Sequence, residues 1–304
     1  MFEHLYRPMV FETPEHVPVE SAWNAHLPFA FWIVDALRPD VLVELGTHSG
    51  ASYCGFCQAV QRLSLPTLCY AIDTWKGDEQ TGYYAEEVYS TLSAYHERRY
   101  AAFSRLIRST FDDAAQHFGS GTIDLLHIDG LHTYDAVQHD FDVWLPKLSQ
   151  RSVVLFHDTN VRERGFGAWK LWAELAERYP AFSFAHGYGL GVLAVGVDPP
   201  APVRWLVELP RHAPDAVGMV RSFFARLGAV TAEMPRIEQL NSELTRTRLT
   251  LAARDERLSQ SEAVLAKRHE ELGALRPLAG DLKREIETSS GLTSLDRKRA
   301  VVRW

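Results

Sequence analysis

The sequence predicts an open α/β sheet of seven strands, mostly parallel with the last one antiparallel, carrying helices on both faces and followed by a long helical extension. Three observations predict it. Five short apolar, β-rich runs, at 41–45, 68–73, 103–108, 122–128 and 152–157, are separated by stretches long enough to hold helices, the pattern of a parallel sheet with helical crossovers. Two further runs, at 182–185 and 191–196, are joined by the Gly-rich link His186-Gly-Tyr-Gly-Leu, which predicts an antiparallel pair at one sheet edge. Beyond residue 235, Ile237, Leu244, Leu251, Leu258, Leu265 and Leu272 recur every seventh residue, a heptad stripe on a helix.

The elements follow in order. Residues 1–40 read as an aromatic helical cap, with Trp23, His26, Phe29, Phe31 and Trp32 in one or two helices that end near Arg38-Pro39. Residues 41–200 form the sheet domain. Its first strand delivers Glu44 into the turn of Val41-Leu-Val-Glu-Leu-Gly-Thr-His-Ser-Gly50, and Gly46 and Gly50 let a ligand lie against bare main chain. The following helix carries Cys54 and Cys57 three residues apart on one face, with Cys69 as the only other cysteine. Without a second Cys/His pair nearby these are buried thiols rather than a zinc or redox motif, and an odd cysteine count suits a reducing compartment. Residues 201–232 form a connecting helical segment and 233–276 the heptad helix. The second heptad positions, Leu240, Thr247, Arg254, Ser261, Arg268 and Leu275, include only two apolar residues, so the seam is thin. A weak self-associating coiled coil, a helix docked on another protein such as a glycosyltransferase, and a solvated single helix all fit, the first best. Pro277 is expected to end the helix and 277–304 to be a flexible basic tail closing at Arg303-Trp304.

Charge and hydropathy exclude several roles. At 46% hydrophobic the chain can bury a substantial core. Of the 32 basic and 39 acidic residues, 14 and 12 lie beyond residue 230, leaving the front part at −9 and the tail at +2. So acidic a domain is a poor match for a phosphate backbone, which argues against a nucleic-acid partner. No stretch reaches the 18 or so consecutive apolar residues that span a bilayer. The N-terminus lacks a signal-peptide pattern, so a cytoplasmic protein, peripheral to the inner membrane at most, is expected.

The chemistry concentrates at strand ends. An acid beside a Gly46/Gly50 turn without the third glycine of a dinucleotide fingerprint favours a cationic ligand, as S-adenosylmethionine is at its sulfonium and amino group. Asp73 ends the second run and suits a ribose diol. Ser109 and Thr110 follow the third run, where they could contact an adenine or equally cap the next helix. Ile123-Asp-Leu-Leu-His-Ile-Asp129-Gly-Leu-His132 and Val153-Val-Leu-Phe-His157-Asp158 are strands that turn polar at their ends and aim Asp129, His157 and Asp158 at one crevice. Such donors can hold a divalent cation, Mg²⁺ if carboxylates dominate. His132 is placed as a base for a hydroxyl proton, the alternative being a hydrogen bond across its own turn.

Glu44-Leu-Gly-Thr-His-Ser-Gly50, Ala71-Ile-Asp-Thr-Trp75, Ile128-Asp-Gly-Leu-His-Thr-Tyr134 and Leu155-Phe-His-Asp158 together resemble the class I S-adenosylmethionine-dependent methyltransferases, in the sugar and small-molecule O-methyltransferase branch found beside glycosyltransferases. The resemblance covers roughly residues 20–198 and implies a Rossmann-like methyltransferase sheet. It implies that Glu44, Gly46 and Gly50 line the methionine moiety, that Asp73 takes the ribose, and that Asp129 and Asp158 hold a metal with His132 as proton acceptor. Thr47, Ser52, Thr74, Ser109, Thr110 and Asp129 complete the expected cofactor set, and His157 the metal set. His157 departs from the branch, whose metal-dependent members show two adjacent acidic or amide residues there, and a histidine is a softer ligand than Mg²⁺ prefers. The expected reaction is methyl transfer to a hydroxyl of a saccharide or glycoconjugate, with Trp75, Tyr83 and Tyr84 as acceptor walls. A catechol-type O-methyltransferase and a non-catalytic scaffold in a glycan-assembly complex are the competing expectations.

Overall fold

The computed structural model describes residues 2–19, 21–78, 80 and 82–300. A short helix α1 (Phe2–Leu5) and two 3-10 turns (Pro8–Phe11 and Ala22–His26) lead to α2 (Leu27–Leu37), β1 (Val41–Leu45), α3 (Ala51–Arg62) and β2 (Leu68–Asp73). A small hairpin of β3 (Gly77–Asp78) and β4 (Gly82–Tyr83) precedes α4 (Glu86–Arg99), β5 (Ser104–Arg108), α5 (Phe111–Ala115), β6 (Ile123–Ile128) and α6 (Tyr134–Trp144). Then come β7 (Leu148–His157), α7 (Ala168–Arg178), β8 (Ala181–Phe184), β9 (Leu190–Ala194), α8 (Ala201–His212) and α9 (Pro214–Ala300).

The main sheet has seven strands in the order β5-β2-β1-β6-β7-β9-β8. All pairings among the first five are parallel, and β9 inserts antiparallel between β7 and β8. This is the expected sheet of seven mostly parallel strands, with the last strand the antiparallel one. β6, β1 after Val41 and most of β7 are buried, as strands covered on both faces must be. The sheet order reverses between β1 and β6, so a crevice opens at their carboxyl ends.

Two apolar clusters fill the faces. One packs α2, α3 and α8 on the sheet around Phe29, Phe31, Trp32 and Phe56; the other packs α6 and α7 around Phe141, Trp144 and Phe156. Helix α2 is apolar on every side and every one of its residues is buried, because α3, α8 and the start of α9 surround it. Its one charge, Asp35, is paired with Arg7 at 3.1 Å.

The chain divides into two compact units, residues 1–237 and 238–304. In the first, α9 joins the core through Val220 and Phe224, and its Gly228 lies where a Cβ would fall 1.9 Å from the carbonyl oxygen of Ala25. In the second, the leucine stripe is exposed, from 47% at Leu244 to 64% at Leu272.

Three expectations need correction here. The hairpin strands run Ala181–Phe184 and Leu190–Ala194, beginning and ending one or two residues earlier than read. The connecting segment and the heptad helix belong to one helix, since α9 begins at Pro214 and runs through both. Nor does Pro277 end it, since the helix continues to Ala300. A proline removes one hydrogen bond and crowds the carbonyl four residues back, here that of Gly273, which has open space around it. The Leu-, Ala-, Lys-, Arg- and Glu-rich flanks then carry the helix across. Of the expected flexible tail, 277–300 is therefore helical, and Arg303-Trp304 lies outside the described residues.

Candidate active site

The glycine turn exists because two strands crowd it. Gly46 has φ +86°, donates to Ile72 O, and sits where a Cβ would fall 2.2 Å from Asp129 O. No other residue fits there without moving the end of β6. Asp73, at the end of β2, fastens the turn: its Oδ2 accepts from the amides of Thr47 and His48, each at 2.9 Å, and its Oδ1 from Trp75 N at 2.7 Å. His48, Trp75 and Asp158 all have positive φ, 49°, 49° and 56°, strain concentrated around this crevice.

Two cavities open there, of about 240 and 230 Å³, and they share Gly46, His48, Tyr84 and Asp129. The first is walled by Asp73, Thr74 and Thr110 with the apolar surfaces of Phe111 and Leu131. The second is walled by Trp23, Thr47, Ser52 and Tyr188 and by a cluster of Asp129, His132, His157 and Asp158.

That cluster brings the ends of two neighbouring strands, β6 and β7, to one point. His132 Nε2 lies 3.1 Å from Asp129 Oδ1 and 3.1 Å from Asp158 Oδ2. His157 Nδ1 lies 3.1 Å from Asp129 Oδ1 and 3.3 Å from Asp158 Oδ1. All four donor atoms fall within 4.8 Å of one another. Donors about 2.0–2.2 Å from a common cation stand roughly 3.0–3.6 Å apart, so the spacing suits a cation in their midst. Asp158 Oδ1 and His132 Nδ1 are buried without a hydrogen-bond partner, which leaves a coordination demand at Asp158. Burial works to raise the carboxyl of Asp129, but the charge of His157 and hydrogen bonds from His132 and His157 hold it well below the usual carboxylate range. Burial works to lower His157, but Asp129 and Asp158 beside it push it up to about 9. Burial raises Asp158.

The ring of His132 is fixed from several sides. It stacks on Phe166 with centroids 4.8 Å apart and planes 10° apart, its amide donates to Gln80 Oε1 at 2.9 Å, and its carbonyl accepts from Gly167 N at 2.7 Å. His157 Nε2 is 3.1 Å from Gly187 O, in the β8–β9 turn.

Several expected site residues lie elsewhere. Glu44 lines neither cavity: it is fully buried and accepts from His127 Nδ1 at 2.8 Å, because its alternation on β1 turns it into the sheet's α2–α3 face. Gly50 also lines neither cavity; it sits against Leu92, where it seats the start of α3. Ser109 lines neither, and its amide donates to Asp73 O. Thr110 lines the first cavity and also caps α5. Asp73 lines the first cavity with three of its roughly four acceptor sites already used by the turn. Of the aromatic walls, Tyr84 lines both cavities, Tyr83 is 78% exposed and lines neither, and Trp75 is buried with its indole donating to His48 O. Sequence reasoning missed His48, Gln80, Phe111 and Phe166. Only His48 carried a signal, its place inside the glycine turn.

Residues 43–159 match the model of a family described as a methyltransferase domain. The chain is 52% identical over 185 residues to the uncharacterized protein y4gI of Sinorhizobium fredii, a match that covers 61% of this chain and 20% of that one. It thus spans about a fifth of the length of the curated relative it matches. Among solved structures, a Staphylococcus aureus protein proposed to be a caffeoyl-CoA O-methyltransferase is 15% identical, with a TM-score of 0.44 over 64% of this chain and 95% of that one. An SAH-bound methyltransferase of Podospora anserina is 13% identical, with a TM-score of 0.42 over 56% and 77% of the two chains.

Proposed function

We propose that the chain is an S-adenosylmethionine-dependent O-methyltransferase that modifies a sugar hydroxyl on a saccharide or glycoconjugate. The observation that carries the reading is the meeting of two cavities at Gly46 and Asp129, one with the walls of a nucleoside site and the other holding a base beside paired carboxylates, within the stretch matched by the methyltransferase family. In the first cavity Phe111 and Leu131 offer apolar faces for an adenine, and Asp73 and Thr74 lie where ribose hydroxyls would be. A carboxylate accepting one more hydrogen bond at Asp73 would tie the cofactor to the same turn that Gly46 and His48 form.

Methyl transfer from a sulfonium is an in-line displacement, so orientation and removal of the hydroxyl proton set its rate. His132 lines the second cavity, and its imidazole accepts that proton. Asp129 and Asp158 flank the resulting imidazolium and stabilise it, while Phe166 holds the ring plane. Asp129, His157 and Asp158 would hold a divalent cation, Mg²⁺ or another. Bound there, it supplies a positive charge that orients and acidifies the acceptor hydroxyl. Trp23, Tyr84 and Tyr188 around the second cavity support a sugar, whose faces stack on aromatic rings.

Calorimetry with S-adenosylmethionine tests the first half: binding supports the reading and its absence removes it. Mass analysis of saccharide and catechol acceptors, with and without chelator, tests the second by a one-methyl gain. His132→Ala is expected to cut kcat by about 10²–10⁴-fold with little change in cofactor affinity, and to retain bound metal as measured by elemental analysis. Loss of the metal in that variant would make His132 a ligand instead of the base.

A further inference from the structure

The exposed leucine stripe of the second unit has a charge pattern that selects a partner. Taking Ile237 as the first position of a heptad, Leu244, Leu251, Leu258, Leu265 and Leu272 occupy the same position in the heptads that follow, and each is roughly half exposed or more, from 47% to 64%. The flanking positions that cross to a neighbouring helix in a parallel coil pair each heptad's last residue with the fifth residue of the next heptad on the other strand. In this sequence those pairs are Glu243 with Arg248, Arg257 with Glu262, and Glu271 with Arg276. All three join opposite charges. The remaining pairs, Thr250 with Asp255, Val264 with His269 and Leu278 with Lys283, place no two like charges together.

We infer that residues 237–286 form a parallel, in-register, two-stranded coiled coil with a second copy of this chain. The antiparallel arrangement that aligns the same stretch sets Arg248 against Arg276 of the second copy, and Glu262 against Glu262 of the second copy, like charges across the seam. It also packs Leu251 against Arg268 and Leu265 against Arg254, whereas the parallel register stacks each leucine on its own counterpart. Arg254 and Arg268 then fall in layers of their own. Their methylene stems can cover the seam while the guanidinium groups reach water, and Arg254 gains Asp255 of the second copy beside it. The two arginine layers make this a register-setting coil of modest strength rather than a tight one.

The test is on the full chain. Sedimentation equilibrium is expected to give a dimer at micromolar concentration, and a monomer there would overturn the inference. Glu243→Arg with Glu271→Arg is expected to weaken association by at least about tenfold, and mixing with Arg248→Glu plus Arg276→Glu is expected to restore it as a heterodimer. Unchanged association in the first variant would overturn the pairing. For orientation, Leu244→Cys and Leu275→Cys are each expected to form a disulfide with themselves under mild oxidation, since an antiparallel coil would set these two positions against each other; the native Cys54, Cys57 and Cys69 are buried. A disulfide formed only when the two variants are mixed would mean an antiparallel coil and overturn the inference.

Discussion

At the scale of single residues the site turns on groups whose neighbours leave them no choice. Gly46→Ala would place a methyl 2.2 Å from the carbonyl of Asp129 at a φ of +86°, so the turn or the end of β6 must move. The expected result is loss of measurable S-adenosylmethionine binding by calorimetry and a destabilisation of about 1–3 kcal/mol in chemical denaturation. Wild-type affinity in that variant would show that the turn does not form the cofactor site. Gly46 was legible in the sequence because backbone crowding between adjacent strands leaves a glycine as its mark. Glu44 was read wrongly for a related reason: an acid next to that glycine looks the same in sequence whether it faces a ligand or a buried histidine, and only the pairing of β1 with β6 brings His127 to it. Asp140 is a residue of no sequence signal at all. It is 7% exposed, and burial pushes its carboxyl up to about 7, opposed by the charge of His139. Its folded value therefore lies above the unfolded value of about 3.9, and the folded state holds the proton more tightly. Below about pH 4 both states are protonated and nothing is lost; as pH rises towards 7 the unfolded state releases its proton first and stability falls, with the full loss present above about pH 7. Asp140→Asn should thus be more stable than the parent at pH 8, by an amount on the order of 2–4 kcal/mol, and close to it at pH 4. Denaturation curves at the two pH values decide this, and an equal difference at both would refute it.

At the scale of elements, strand positions were readable because the parallel strands are short, apolar and buried on both faces, which leaves a mark no helix shares. β1 and β2 match the expected runs residue for residue, and β7 starts earlier only because its solvent-facing first turn, Ser149 to Arg151, dilutes the apolar signal. The hairpin β3–β4 was not readable, since two residues a side carry no periodicity, yet between its strands lies Gln80, whose side chain holds His132. Nor was the docking of α9. Its first turns carry ordinary amphipathic spacing, and the sign that they belong to the core is the close approach at Gly228, where Thr231 also donates to Asn24 O at 2.5 Å. Phe224 stands at the centre of that contact, 1% exposed among Phe29, Trp32 and Phe184. Phe224→Ala is expected to cost about 3–5 kcal/mol, read as a shift of the urea midpoint with unchanged slope. A cost under 1 kcal/mol would mean that the start of α9 is not part of the folded core.

At the scale of the molecule, the two compact units differ in what stabilises them. Both apolar clusters lie within residues 1–237, so that unit has a core of its own, whereas the leucines of 238–286 are exposed in a single chain and find apolar cover only in the proposed coil. An isolated helix in water is marginal even when long, and this one carries Gly273, Pro277 and Gly280 within eight residues. Its order should therefore depend on protein concentration by mass action, while that of residues 1–237 should not. Heating the full chain is expected to give two transitions. The first, seen in far-ultraviolet circular dichroism as loss of helix, should move up by several degrees when the protein concentration rises about tenfold, because a dimer is favoured by concentration. The second, seen in the near-ultraviolet signal of buried tryptophans such as Trp32 and Trp144, should not move. S-adenosylmethionine should raise only the second, since Gly46, Asp73 and Asp129 all belong to the first unit. A single transition that shifts with concentration as a whole would show that residues 1–237 and the coil fold together, and that the dimer is a condition of the proposed active site rather than an addition to it.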